Sequence, residues 1–191
     1  MRSLINKPEI YNDSIYYYKD ILQRPEYIVK LIEQNNSNSD LISDWVPWQS
    51  SDGDYTFGRT KRINFEHYPN SSDESKFIYG SILSAIRLAG VFYARNKNIN
   101  LGKQSPISIS KYDEGKFMGP HTDEKTGAHI SGVLYLNDNY SGGELEFPNQ
   151  EFSIKPEAGS MIVFPSIGEY IHDPKPAYGG ERYICPVFWY N

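Results

Sequence analysis

"HISGVLYLNDNYSGGELEFPNQEFSIKPEAGSMIVFPS", residues 129–166, decides the fold. It holds four short β-type runs: HISGVLYLN, GGELEF, EFSIK and SMIVFPS. The turn signals SGG and PEAG punctuate them. The pattern continues on both sides. SPISISKY (105–112) precedes the stretch, and EYIHD (169–173) and ERYICPVFWY (181–190) follow it, with YGG as a further turn. Many short strands at close spacing predict a sandwich or barrel. YTFGRTKRINF (55–65) adds a predicted strand from the N-terminal half. Pro186 lies inside the last run and cannot donate to a ladder, which predicts an edge strand or a bulge there.

Two segments upstream read as helices. PEYIVKLIEQ begins at Pro25, a residue suited to a first helical position. Tyr27, Ile28, Leu31 and Ile32 share one face. SDESKFIYGSILSAIRLAGVFYARNKN (72–98) is longer, with Ser72 or Asp73 as its cap. Ile78, Ile82, Ile86 and Leu88 to Phe92 build its apolar stripe, which Gly90 weakens modestly. EQNNSNSD (33–40) and WQSSDGD (48–54) read as polar loops. The expected fold class is α+β: a single domain over residues 1–191, with helices outside one β-rich core. A small barrel of this kind holds one small ligand in its mouth.

Composition narrows the function. Aromatics are 15% with 16 Tyr, which suits half-buried sheet and excludes disorder. The net charge of -5 lacks the basic excess of a broad nucleic-acid surface. GRTKRINF (58–65), the single short basic cluster, reads as a solvated strand or loop. One cysteine, Cys185, allows no intramolecular disulfide and reads as a small core residue. MRSLINKPEIYNDS carries no signal-peptide apolar region, and no apolar stretch approaches the ~20 residues that span a bilayer. The expectation is a soluble intracellular protein of the cytoplasm (the host's, if the wealth of Asn, Lys, Tyr and Ile marks a viral source).

FMGPHTDEKTG (117–127) holds a His and an Asp two residues apart. In an extended segment His121 and Asp123 point to one side. A polar loop fits the same residues. His172, 49 positions after Asp123, ends a predicted strand, and two His with one carboxylate form the facial triad of Fe(II) oxygenases. Arg182 follows His172 by ten residues in an otherwise apolar run. A hairpin over DPKPAYGGE would set it beside His172. A buried guanidinium needs an anion, and its fork fits a carboxylate. Triad and arginine together suggest a metal-chelating dicarboxylate.

These residues resemble the HxD…H…R/K pattern of Fe(II)- and 2-oxoglutarate-dependent dioxygenases. YDEGKFMGPHTDE, SGVLYLNDNYSGGELEFP, IKPEAGSMIVFPS and EYIHDPKPAYGGERY resemble the prolyl 4-hydroxylase-like branch, in its order, over residues 106–190. The resemblance implies a double-stranded β-helix (jelly-roll, cupin-like) core in 106–191, with 1–105 as its support. It implies iron at His121, Asp123 and His172, and the distal carboxylate of 2-oxoglutarate at Arg182 and Tyr135. Tyr112 would lie near the iron-bound end of the cosubstrate. Ser131, four residues before Tyr135, would line the same pocket, and Phe188 or Trp189 would wall it. The implied reaction consumes dioxygen, decarboxylates 2-oxoglutarate to succinate, and hydroxylates a prolyl residue in a peptide or protein, with ascorbate as a possible reductant. Two departures stand out: Arg182 replaces the Lys of collagen-type enzymes, and Ser160 an acidic residue. His67 and His129 match no motif. A small-molecule or nucleic-acid-base oxygenase, or a non-catalytic jelly-roll binding module, are the alternatives.

Overall fold

The short apolar runs become antiparallel strands. The computed structural model describes residues 7–35, 61–64 and 72–191. His67, the WQSSDGD loop and half of GRTKRINF lie outside them. In chain order the elements are β1 (Glu9–Tyr11), β2 (Ile15–Tyr18), α1 (Pro25–Asn35), β3 (Lys61–Asn64), α2 (Asp73–Lys97), β4 (Lys103–Gln104) and β5 (Ser108–Tyr112). Then follow β6 (Ile130–Tyr135), β7 (Ser141–Gly142), β8 (Leu145–Phe147), β9 (Phe152–Ile154), β10 (Met161–Pro165), β11 (Asp173–Pro174), β12 (Ala177–Tyr178) and β13 (Arg182–Tyr190).

Eight strands form one sheet in the order β1-β2-β10-β6-β13-β5-β3, with β4 also on β13. A three-stranded sheet, β11-β8-β9, and a pair, β12-β7, complete the strands. Side chains alternate across the large sheet, and each face buries its own cluster. Tyr16, Tyr18, Leu134, Val163, Cys185 and Trp189 face the helices, packed on Ile78, Ile82 and Ile86 of α2 and Ile28 and Ile32 of α1. Ile15, Tyr17, Tyr135, Ile162 and Phe164 face the other way, onto Leu145 and Phe147 of β8. The molecule is thus three layers: helices, large sheet, small sheets.

Both helices form where expected. The Ser72 hydroxyl caps α2 by accepting from the Ser75 N–H at 3.4 Å. Two stripes are narrower than the spacing suggested. Tyr27 is exposed and stacks with Arg24 and Phe77 instead of entering the core. Leu88 and Val91 also face out, while Ala85, Ala89 and Tyr93 take the buried positions. By length and composition α2 is apolar enough to cross a membrane, contrary to the sequence expectation. Here its apolar stripe is spent on the sheet.

Gly90 has a packing reason. A Cβ there would lie 2.7 Å from Trp189 Cζ2, and one on Gly132 would lie 3.1 Å from Trp189 Cζ3. The indole of β13 slots between α2 and β6 and is 1% exposed. Trp189 is therefore core, and it is Phe188, opposite Ser131, that alternates toward the inner face. Trp189→Ala is expected to lower stability by about 3–5 kcal/mol, read as a fall in the urea midpoint.

Pro186 meets the second of the two expected conditions, a bulge, and not the first, an edge strand. β13 is an interior strand, paired with β6 on one side and with β5 and β4 on the other. The Phe188 N–H reaches Ser105 Oγ on the β4–β5 side, so the nitrogen of Pro186, two residues earlier, faces that side too. There the pairing with β5 stops at Ile184–Ser110 and that with β4 starts at Trp189–Gln104, with four residues of β13 against five of the neighbouring segment. The proline removes no ladder bond because the ladder is interrupted opposite it.

Sequence reading missed the β1–β2 hairpin, which extends the large sheet at β10. Its signal was Asn12-Asp13 between EIY and IYYY. Both hold positive φ (47° and 57°), and Ser14 N–H donates to Tyr11 O at 3.2 Å. Asn and Asp tolerate that geometry and match the twist of the flanking strands.

Candidate metal centre

His121 and His172 lie 51 residues apart in sequence and face each other as an isolated antiparallel bridge. Each backbone N–H donates to the other's carbonyl, at 3.0 and 2.9 Å. This exchange, rather than a strand return, fixes the two imidazoles with ring centroids 4.1 Å apart. Asp123 is not in an extended segment as expected. Its φ of -91° and ψ of 3° begin a 3-10 turn over Glu124–Thr126. The turn is tied back when Thr126 N–H and hydroxyl both donate to Asp123 O, at 2.9 and 2.6 Å. The carboxylate then meets both histidines: His121 Nε2 to Oδ1 is 3.8 Å, and His172 Nε2 to Oδ2 is 3.7 Å.

The ring tautomers fit a ligand role. His121 Nδ1 lies 2.9 Å from Gly119 O, and His172 Nδ1 lies 3.2 Å from Tyr170 O. A carbonyl can only accept, so each Nδ1 carries the proton and each Nε2 turns a lone pair toward Asp123. Burial, and then the neighbouring His121, hold the His172 pKa down at about 4 against a weaker upward pull from Asp123. His172 is therefore a neutral donor at pH 7. The three ligand atoms lie within 4.8 Å of one another, and among the described residues this is the one cluster of that kind. Phe164 and Phe147 pack on the His172 ring at 4.8 and 6.0 Å, giving the centre an apolar back wall. His121 is the more exposed ring, at the open side.

Arg182 is 2% exposed. It does not reach the site by a hairpin with His172. β11 and β12 between them pair with β8 and β7 instead, and Arg182 stands on β13 opposite Tyr112 of β5. Its Nη1 donates to Lys175 O at 2.8 Å, and its Cζ lies 4.8 Å from the Tyr112 ring centroid. Nε and Nη2 are buried and meet no acceptor among the described residues. A buried guanidinium with half its fork unused is costly unless an anion completes it. A carboxylate does so with both oxygens.

The other expected residues are placed as follows. Tyr135 is buried on the inner face, directly across from Ile184. Burial raises its pKa and the Arg182 charge pulls it back. Tyr112 lies against the arginine. Ser131 is on the inner face, and its hydroxyl is engaged with Ser166 Oγ at 2.7 Å. His129 sits away from the triad, with Nε2 3.2 Å from Asn100 O.

Two contributors escaped the sequence reading. Buried Asn137 accepts from Tyr183 N–H at 2.8 Å and donates to Glu181 O at 2.7 Å, flanking Arg182 on both sides. Asn137→Ala strands a buried N–H and is expected to lower stability by about 1–3 kcal/mol, measured by denaturant unfolding. Tyr140, in NYSGG, is buried close enough for the Arg182 charge to act on its phenol.

The chain is similar to known proteins of one kind. The family model described as the 2OG-Fe(II) oxygenase superfamily matches residues 107–191. A PKHD-type hydroxylase of Maricaulis maris is 36% identical over 107 residues, 52% of this chain and 45% of its own length. The chain spans about half the length of the curated relatives it matches first. A prolyl hydroxylase from Trichoplax adhaerens, solved with a hypoxia inducible factor oxygen degradation domain peptide fragment, superposes with TM-score 0.71 at 16% identity, covering 94% of this chain and 84% of that one. A viral collagen prolyl hydroxylase from Paramecium Bursaria Chlorella virus-1, in its 2OG complex, gives TM-score 0.66 at 16% identity over 94% and 97%. Residues 107–191 thus match the model of the 2OG-Fe(II) oxygenase superfamily, and the chain has the fold of the prolyl hydroxylases.

Proposed function

We propose that this protein is an Fe(II)- and 2-oxoglutarate-dependent dioxygenase that hydroxylates prolyl residues in a peptide or protein. The observation that carries the reading is the pairing of a His-Asp-His cluster with a buried arginine whose Nε and Nη2 have no acceptor. His121, Asp123 and His172 hold the iron. Arg182 and Tyr135 hold the distal carboxylate of 2-oxoglutarate, and Tyr112 stacks beneath the guanidinium. Ser131 lines the same inner face through its bond to Ser166. Bound iron and 2-oxoglutarate would supply oxidative decarboxylation to succinate and CO2, coupled to transfer of one oxygen atom of dioxygen to a substrate C–H, with the other oxygen atom entering succinate. The protein's own part is placement. Backbone carbonyls aim both imidazoles, the arginine fixes one end of the cosubstrate, and the phenylalanines behind His172 keep water off.

The core is a double-stranded β-helix, with the large sheet facing the smaller sheets, and residues 1–191 act as one domain in the cytoplasm. Residues 1–105 support the catalytic part, and β1 to β4 among them pair into its sheet. Peptide as substrate draws support from the Trichoplax neighbour, which was solved in complex with a peptide fragment. The direct test is anaerobic addition of Fe(II) and then 2-oxoglutarate, followed by proline-containing peptides with oxygen. A visible charge-transfer band and a mass gain of one oxygen on proline are expected. A folded protein without the band points to the binding-module reading. A band with turnover of small molecules alone rejects the peptide.

A further inference from the structure

Arg182 is not the only buried donor here without a partner. The hydroxyl of Tyr140 is also buried and meets no donor or acceptor among the described residues. Tyr140 is 6% exposed, so a stray phenol at the surface does not explain it. Its ring is held from several sides. A Cβ on Gly143, whose φ is +77°, would lie 2.5 Å from Tyr140 Cε2, so only glycine fits under the ring. Gly180, two residues before Arg182, packs against the Tyr140 Cβ. Lys155 Nζ donates to Tyr140 O at 2.8 Å and fixes the backbone. The Arg182 charge acts on the Tyr140 and Tyr135 phenols alike, and Tyr140 acts on Tyr135. Arg182 Nε, Arg182 Nη2 and the Tyr140 hydroxyl are therefore buried donors with no acceptor among the described residues, near enough for the arginine's charge to act on the phenol. An ionised carboxylate offers about four lone-pair sites, enough for all of them and for Tyr135. Burial, opposed by Arg182, pushes the Tyr140 pKa up to about 12, so its phenol keeps its proton and donates.

We propose that Tyr140 donates a hydrogen bond to the distal carboxylate of 2-oxoglutarate and so helps select keto acids that carry a second carboxylate. This rests on the cosubstrate reading above. The test is Tyr140→Phe, which keeps the ring and its packing. Fe(II)-loaded wild type and variant are titrated anaerobically with 2-oxoglutarate and with pyruvate, which has the same chelating head and no distal carboxylate. The Kd for 2-oxoglutarate is expected to rise about 10-fold or more, as for a lost hydrogen bond to a charged group, while that for pyruvate stays unchanged. The metal-free variant should melt no lower than wild type, because the deleted hydroxyl has no partner to lose. Unchanged 2-oxoglutarate affinity overturns the role of Tyr140. So does equal weakening for both keto acids, or a melting temperature several degrees lower, since either marks a structural hydroxyl. If wild type itself binds no 2-oxoglutarate, the cosubstrate reading fails and takes this role with it. A normal wild-type titration with an unaltered variant removes the Tyr140 role alone.

Discussion

Asp123→Ala is expected to abolish iron binding and turnover together. Asp123 is the one anionic group of the cluster, and its two oxygens lie 3.8 and 3.7 Å from the two histidine Nε2 atoms. Without it, two neutral imidazoles face each other across the site, and two neutral donors hold a divalent cation poorly. Losing an outer partner of a metal ligand already costs 10–100-fold in affinity. Losing the charged ligand should cost more than about 100-fold, read by anaerobic Fe(II) titration. His172→Ala should behave alike, since its lone pair is fixed by the Tyr170 carbonyl and burial keeps it unprotonated. Circular dichroism separates loss of the ligand from loss of the fold. Retained turnover in both variants would sink the triad.

Arg182→Met is expected to spare iron and remove 2-oxoglutarate. The side chain keeps an unbranched apolar stem, so the part of the inner face that the arginine stem covers stays filled. What disappears is the free part of the fork, Nε and Nη2, together with the Nη1 bond to Lys175 O. Two hydrogen bonds to a charged acceptor are worth about 3 kcal/mol or more together, at least ~100-fold in Kd. Arg182→Lys should fall between, because an ammonium keeps the charge and loses the planar fork. 2-oxoglutarate should raise the melting point of the iron-loaded wild type by mass action and leave that of Arg182→Met unmoved. An equal loss of iron and cosubstrate would contradict the assignment and make Arg182 a general prop of the site.

The positions that sequence reading found share a property: their signal is local. His121 and Asp123 are two residues apart, so any conformation keeps them close. Arg182 stands out because an apolar run surrounds it. The strands of 105–190 announce themselves by short runs between turn residues, and α1 and α2 by period and cap. Asp123, expected in an extended segment, is turned by Thr126 only three residues on, but other readings that went wrong depended on a distant partner. The stripe of α2 was drawn too wide because its width is set by the sheet it meets. Gly90 looked like a weakness because its reason, Trp189, is 99 residues away.

By itself, then, the sequence determined the strand-rich C-terminal half, the two helices, the HxD pair and the need for an anion at Arg182. These follow from side-chain period, turn chemistry and the cost of burying charge, which act over a few residues. Tertiary structure alone decided how the pieces meet. The His121–His172 backbone exchange closes the triad, β13 beside β5 delivers Arg182, and the gap between β5 and β4 admits Pro186 into an interior strand. Gly143 of SGG, read as a turn, proves to be the floor of the Tyr140 ring. Strand pairing between remote segments depends on register and on which faces bury together, and neither is written in any short window of the chain.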